Sequence, residues 1–400
     1  MVVSSGGSLD LARMRRDRHA RLQTELQRRG VGAALLLTSG NVFYATGAHV
    51  VPSDNARTYH QRTIALVVAG DEHAHLFTPY PEGAPPELPA DHVHPPLYPE
   101  LDEGVKDMAR RLDELLGGTL AGKLGVDDYT APMYLGLPAL VPFELTNAGS
   151  LLTGVRLLKT DDEIECLRRS WAINEAANQA VEAALRPGLR ESELTGIFLR
   201  ALYELGATSN FLDPVFQVMP ERLPDAAWST NGDLPFALVT TDRILRDGDL
   251  VWTDTVMGYE QYASDVGRAW IVGARPTSRQ RELYRRWKDI TDAVIDAIRP
   301  GATGADLTRI AIEANDGVKP WLDHYFLAHG LGIEGGEIPQ IGSDLGPEFD
   351  ESFVLQPGMA IVVEPITWAD GHGGYRAEEL VVVTETGSER ISDYPDTPFV

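Results

Sequence analysis

The chain has 400 residues, 43% hydrophobic and 24% charged, which describes a globular protein too long for one ordinary core. A formal net charge of −24 argues against nucleic acid or an anionic membrane as partner, because both would repel it. The single cysteine, Cys166, excludes a disulfide framework and a cysteine-based zinc site. Residues 1–10 are rich in Ser and Gly and lack the apolar segment of a secretory signal. No apolar run approaches membrane-spanning length, so the cytoplasm is the expected compartment.

In chain order, residues 11–30 read as a basic amphipathic helix and 31–38 (VGAALLLT) as a buried strand. Residues 39–41 read as a turn. Residues 63–68 and 73–77 read as a hairpin around Gly70-Asp71, and 81–98, with its Pro and acidic residues, as a surface loop. A helix over 104–116 and a short strand over 123–127 follow. Strands alternating with helices predict an α/β first domain, residues 1–155, with partly parallel pairing. The second domain, 156–400, has another rhythm. Thr160 is a candidate N-cap for a helix over 161–185, which Pro187-Gly188 stops. A helix over 191–205, a strand over 211–219 and a hairpin from 249–254 and 262–272 come next. Helices over 278–299 and 305–315 precede a loop carrying His329, then strands over 360–366 and 375–384. Helix pairs followed by hairpins occur twice, which predicts a structural duplication.

Asp254 and Asp265 lie eleven positions apart in the first hairpin, with 257–261 read as its turn. Two carboxylates held together in an apolar setting require a proton, a cation or a metal between them. Glu364 and Glu378, fourteen apart, repeat the arrangement in the second hairpin, with Gly371, Gly373 and Gly374 in its turn. His329 stands between the hairpins in sequence, beside Gly330 and Gly332. Taken singly, each is more commonly a turn, surface or packing residue. Together, four carboxylates and one imidazole suffice for two hard or borderline divalent cations.

Several stretches resemble the pita-bread metallopeptidase family of aminopeptidase P, prolidase, methionine aminopeptidase and creatinase. They are Ser264-Asp265-Val266-Gly267-Arg268 after Asp254, His329-Gly330-Leu331-Gly332, Glu364-Pro365, and Gly374-Tyr375-Arg376-Ala377-Glu378-Glu379. Asn41-x-x-Tyr44-x-Thr46-Gly47 resembles the N-terminal domain of the aminopeptidase P, prolidase and creatinase branch. The resemblance implies a creatinase-like α/β N-terminal domain and an α+β pita-bread catalytic domain. It implies Asp254 as a ligand of one metal, Asp265 and Glu378 as bridges, and His329 and Glu364 as ligands of the other. Glu364 would also handle protons while a metal-bridged water attacks a carbonyl. Mn²⁺ is the foremost metal, with Fe²⁺, Zn²⁺ and Co²⁺ also suited. A short peptide or other small molecule is the implied substrate, and a homodimer the implied assembly.

The sequence departs from the family at two histidines. Phe236 occupies the first position, and Gly336, seven residues after His329, the second. Those histidines bind the scissile carbonyl and help protonate the leaving amine. Glu334, Glu337, His324, Tyr325 and His372 are available as replacements, though each is also a plain loop or packing residue. Trp228, Trp252, Trp321 and Trp368 are candidate pocket walls, or core. The leading reading is a hydrolase resembling Xaa-Pro aminopeptidase and prolidase. The alternatives are a non-peptide enzyme on the same site, similar to creatinase, ectoine hydrolase or dimethylsulfoniopropionate lyase, and a binding protein without catalysis.

Overall fold

The computed structural model describes residues 8–50, 62–117, 120–221, 241–369 and 371–395. Contacts divide them into one unit over 10–156 and another from 157 onward.

In the first unit, helix α1 (Leu11–Arg29) starts at Asp10, whose carboxylate accepts from the Arg13 amide, and stops at Gly30, φ 64°. Strand β1 (Val31–Leu36) is buried along its whole length and pairs antiparallel with β2 (Ile64–Val68) and parallel with β5 (Lys123–Val126). Strands β3 (His75–Phe77), β4 (Val93–His94) and β6 (Leu145–Asn147) complete a six-stranded sheet of order β4-β3-β2-β1-β5-β6. Alternate β1 residues Ala33 and Leu35, with Leu37, pack with Met108 and Leu112 of a helix over Asp102–Leu116 and with Met133 and Leu137 of another over Ala131–Leu140.

The structure corrects two local expectations and adds a helix. Residues 39–41 are not a turn but the start of a helix, Ser39–Thr46. The half-buried Asp127 carboxylate holds its entry by accepting from the Leu37 amide, Thr38 Oγ1 and Asn41 Nδ2. Asn41 also accepts from Arg156, so this part of the Asn-x-x-Tyr stretch is a structural tie. The 81–98 segment contains strand β4, not only loop. Finally, residues 149–156 form most of a helix, Gly149–Leu157.

The second unit repeats one plan. A long helix, Asp161–Ala184, opens with a reciprocal cap between Thr160 and Glu163, and a second helix spans Glu191–Glu204. The long helix lies along β9 (Leu250–Tyr259) and β10 (Tyr262–Ile271), while β7 (Ser209–Asn210) and β8 (Val215–Val218) pair with β9. Next come helices Ser278–Ala297 and Gly304–Ala314, again packed on each other. Their sheet has order β12-β11-β13-β16-β17: Glu337–Ile341, Ala328–Gly330, Ala360–Val363, Glu379–Val383 and Ser388–Arg390. A two-stranded ribbon, β14 (Ile366–Ala369) with β15 (Gly373–Arg376), extends beside it. Among the described residues, no helix is long and apolar enough to cross a membrane.

The first hairpin turns more tightly than the expected 257–261. Both strands run to Tyr259 and Tyr262, leaving Glu260 and Gln261 as the loop, at φ 49° and 63°. Two central residues in the left-handed region define the turn whose twist matches the strands, and Asn-Gly suits it best. Replacing Glu260-Gln261 by Asn-Gly relieves side chains in a conformation costing about 1 kcal/mol each. The expected gain is about 1 kcal/mol, read as a higher urea midpoint with unchanged slope.

Candidate metal centre

The β9–β10 register sets Asp254 opposite Gly267 and Asp265 opposite Val256. The two aspartates therefore share one face of the hairpin, two positions out of step along it. The other face is fastened to the long helix. Asn174 Nδ2 donates to the Thr255 carbonyl (2.7 Å) and Ser264 Oγ (3.0 Å), and Thr255 Oγ1 donates to Asn174 Oδ1 (2.8 Å). Asn178 Nδ2 adds a bond to Thr255 Oγ1. A one-residue slip of either strand would break this buried network, so the network holds the aspartates on the open face.

Glu364 and Glu378 stand at two adjoining breaks. Glu364 follows β13 and precedes β14, and Glu378 lies between β15 and β16. The Glu364 amide donates to the Leu327 carbonyl and the Glu378 amide to the Gly267 carbonyl. Arg268, buried, donates through Nη1 to the Gly267 and Glu378 carbonyls and through Nη2 to Glu175 at 3.0 Å. Gly267 supplies the room. A Cβ there would meet Glu378 Oε1 at 2.9 Å and Cγ at 3.0 Å, so only glycine lets that carboxylate lie over the hairpin.

The five residues form one cluster. Carboxylate oxygens of Asp254, Asp265 and Glu378 lie within 4.8 Å of one another. His329 Nε2 is 3.5 Å from Asp265 Oδ2 and 3.2 Å from Glu364 Oε1. Its Nδ1 is 2.9 Å from the Gly330 carbonyl, which turns Nε2 toward the acids. Asp265 Oδ1 and both Glu378 oxygens are buried with no hydrogen-bond partner.

Sequence reasoning gave Arg376 no role. Its guanidinium sits 3.1 Å from Asp254 Oδ2, 2.6 Å from Glu364 Oε2 and 2.6 Å from Glu378 Oε1, the last as an ion pair without hydrogen-bond alignment. The available signal was an arginine at a strand end two residues before a candidate ligand. Burial pushes Glu378 up to about 8 and Asp265 well above the carboxylate range, with neighbouring acids adding to both. Burial works the same way on Glu364, but Arg376 and His329 outweigh it and hold that group low. Burial lowers His329, yet its bond to Glu364 raises it on balance. One guanidinium facing four acids leaves an excess of three negative charges when all are ionised and the imidazole is neutral. Orphaned carboxylate oxygens, an oxygen-rich donor set and one imidazole fit hard or borderline divalent cations.

The other candidates part ways. Tyr325 is half-buried, and burial with Asp254 and Glu364 pushes its phenol up to about 12, with Arg376 opposing. His324 is exposed, 2.7 Å from Asp344, and Glu334 and His372 are also exposed. Glu337 is buried, paired with Lys159 at 3.1 Å and accepting from the Ile333 amide, so it braces the loop after His329. Trp252 and Trp321 are buried and Trp368 is half-buried. Gly336 is exposed, and a Cβ there meets no atom within 4 Å. Phe236 and Trp228 lie outside the described residues.

Comparison with known proteins places these features. Residues 165–385 match metallopeptidase family M24, and residues 18–158 match the creatinase/prolidase N-terminal domain. A Xaa-Pro dipeptidase of Pyrococcus furiosus is 30% identical over 253 residues, 62% of this chain and 67% of that protein. An uncharacterized peptidase of Staphylococcus saprophyticus is 26% identical over 92% of this chain and 97% of its own. A prolidase from Thermococcus sibiricus superposes with TM-score 0.76 at 21% identity, covering 98% of this chain and 99% of that one. An X-Pro aminopeptidase from Thermotoga maritima gives 0.75 at 19%, covering 94% and 98%. At such identities the two structures speak for the fold.

Gly267→Ala tests the packing of the centre. The added methyl meets the end of a flexible side chain, so the fold should survive while Glu378 is displaced. Overpacking of this kind costs about 1–3 kcal/mol. The expected result is an unchanged far-ultraviolet circular dichroism spectrum with metal affinity roughly tenfold or more weaker by calorimetry.

Proposed function

The chain belongs to metallopeptidase family M24, a creatinase/prolidase N-terminal domain preceding a pita-bread catalytic domain, and on that premise we propose that it hydrolyses the Xaa-Pro bond of short peptides with two divalent cations. One observation carries this reading. Asp254, Asp265, His329, Glu364 and Glu378 converge from distant segments, and Asp265 Oδ1 and both Glu378 oxygens are buried without a hydrogen-bond partner among the described residues. Asp254, Asp265 and Glu378 would hold one cation, and His329 and Glu364 the other, with Asp265 and Glu378 shared. Mn²⁺ suits the set, as do Fe²⁺, Co²⁺ and Zn²⁺. Bound there, the cations supply Lewis acidity and an activated water.

The chain's own groups divide the remaining work. Glu364, held ionised by Arg376 and His329, takes the proton released as water attacks and delivers it to the leaving amine. Tyr325 keeps its proton at neutral pH and can donate a hydrogen bond to substrate. Arg376 fixes three of the carboxylates in place. His324 and Glu334 are exposed, so we assign proton handling to Glu364 and Tyr325 instead. The reading includes a homodimer, checked by its mass in solution.

Gly336 favours a second reading, a small non-peptide substrate. The open space at this position leaves the scissile carbonyl without the family's histidine. Two measurements separate the readings. In the first, the purified protein is assayed on Xaa-Pro dipeptides before and after chelation. We expect turnover that chelator abolishes and Mn²⁺ restores; no turnover by metal-loaded protein would defeat the peptidase reading. In the second, Gly336→His should raise dipeptide turnover by up to about 10², the range one such donor commands. An unchanged rate would show that the position does not limit peptide hydrolysis.

A further inference from the structure

Four of the ten histidines gather at the sheet edge of the first unit, where the proposed peptidase chemistry has no use for them. They come from two His-x-His stretches, His73-Ala74-His75 and His92-Val93-His94. His75 opens β3 and His94 ends β4, while His73 lies in the bend before β3 and His92 ends the short 3-10 helix before β4. Strands β3 and β4 pair in parallel with Leu76 beside Val93 and Phe77 beside His94, which carries the two stretches next to each other. His75 stacks on His92 with centroids 4.2 Å apart and planes 2° off parallel. His73 meets His92 edge-on at 5.9 Å. His75 Nδ1 and His94 Nε2 are 2.9 Å apart, and His92 Nδ1 is buried with no hydrogen-bond partner.

We propose that this cluster is a second metal site, which takes a borderline divalent cation such as Ni²⁺, Cu²⁺ or Zn²⁺ on His75 and His94. Two nitrogens bound at about 2.0–2.1 Å stand about 2.9 Å apart at a right angle and about 3.4 Å apart at a tetrahedral one. The observed 2.9 Å matches adjacent positions of a square-planar ion, the geometry of Cu²⁺ and Ni²⁺. The cation replaces the proton the two rings share, and each ring turns its lone pair onto it. His92 can supply a third nitrogen once its ring rotates, and water fills the rest. Asp71, 3.9 Å from His75 Nε2, and Asp91 contribute favourable negative charge. His73 also lines an open cleft together with His19 and Glu72. The donor chemistry differs from the carboxylate centre of the other unit. Imidazoles favour late transition metals, and carboxylates favour Mn²⁺ or Mg²⁺.

The test titrates Ni²⁺ into the full-length, Mn²⁺-loaded protein by calorimetry, with Mn²⁺ release followed and nickel-edge X-ray absorption recorded. We expect one Ni²⁺ per chain, at least two imidazole ligands and retained Mn²⁺. His75→Gln/His94→Gln should weaken Ni²⁺ binding tenfold or more and leave Mn²⁺ content unchanged. Nickel that enters only by displacing Mn²⁺, a spectrum with fewer than two imidazoles, or equal affinity in the double variant would overturn the proposal. If the double variant does not fold, the wild-type spectrum and the affinity of the single His94→Gln variant decide between the same outcomes.

Discussion

Four carboxylates crowd around one guanidinium, and the second unit is organised to keep them there. Arg376 contacts Asp254, Glu364 and Glu378, yet its single charge cannot offset the acids it gathers. Buried like charges repel strongly and are normally relieved by protonation or by a cation. Burial first, and that repulsion after it, displaces the proton affinity of Glu378 and Asp265 upward. A divalent cation relieves the same repulsion without silencing the oxygens as ligands. The arrangement is costly for a protein seeking only stability and useful for one that must hold metal.

Keeping such a cluster requires rigidity behind it. The Asn174, Asn178, Thr255 and Ser264 network fastens the closed face of the hairpin to the helix over Asp161–Ala184. Arg268, anchored on Glu175, draws in the Glu378 carbonyl while Gly267 makes way for its side chain. Lys159 and Glu337 brace the loop that follows His329. The acids thus sit on elements tied down by hydrogen bonds behind them.

Much of this was legible from residues alone. Apolar, strand-like runs marked the hairpin, and the order of Asp254, Asp265, His329, Glu364 and Glu378 pointed to one cluster, which the structure brings together. What stayed hidden depends on partners far away in sequence. Arg376 reads as a strand-end residue until Asp254 and Glu364 lie beside it. The helix over Ser39–Thr46 looks like a turn because its entry is held by Asp127, over eighty residues on. Gly267 reads as one more residue of the strand over 262–272, and its purpose appears only once Glu378 is laid across it. The paired His-x-His stretches are plain in the sequence, but their adjacency depends on the short strand β4, which composition disguised as loop.

The contact between Arg268 and the Glu378 carbonyl spans 110 residues and has a kinetic consequence. The hairpin bearing Asp254 and Asp265 is local and can form early. Glu364 and Glu378 join it only after loops of about a hundred residues have closed, and such long-range closure is slow. A cation held by the proposed ligand set would therefore meet a complete site only at the end of folding, and would act as a clasp on the finished unit, slowing its opening and contributing little to the speed of its assembly.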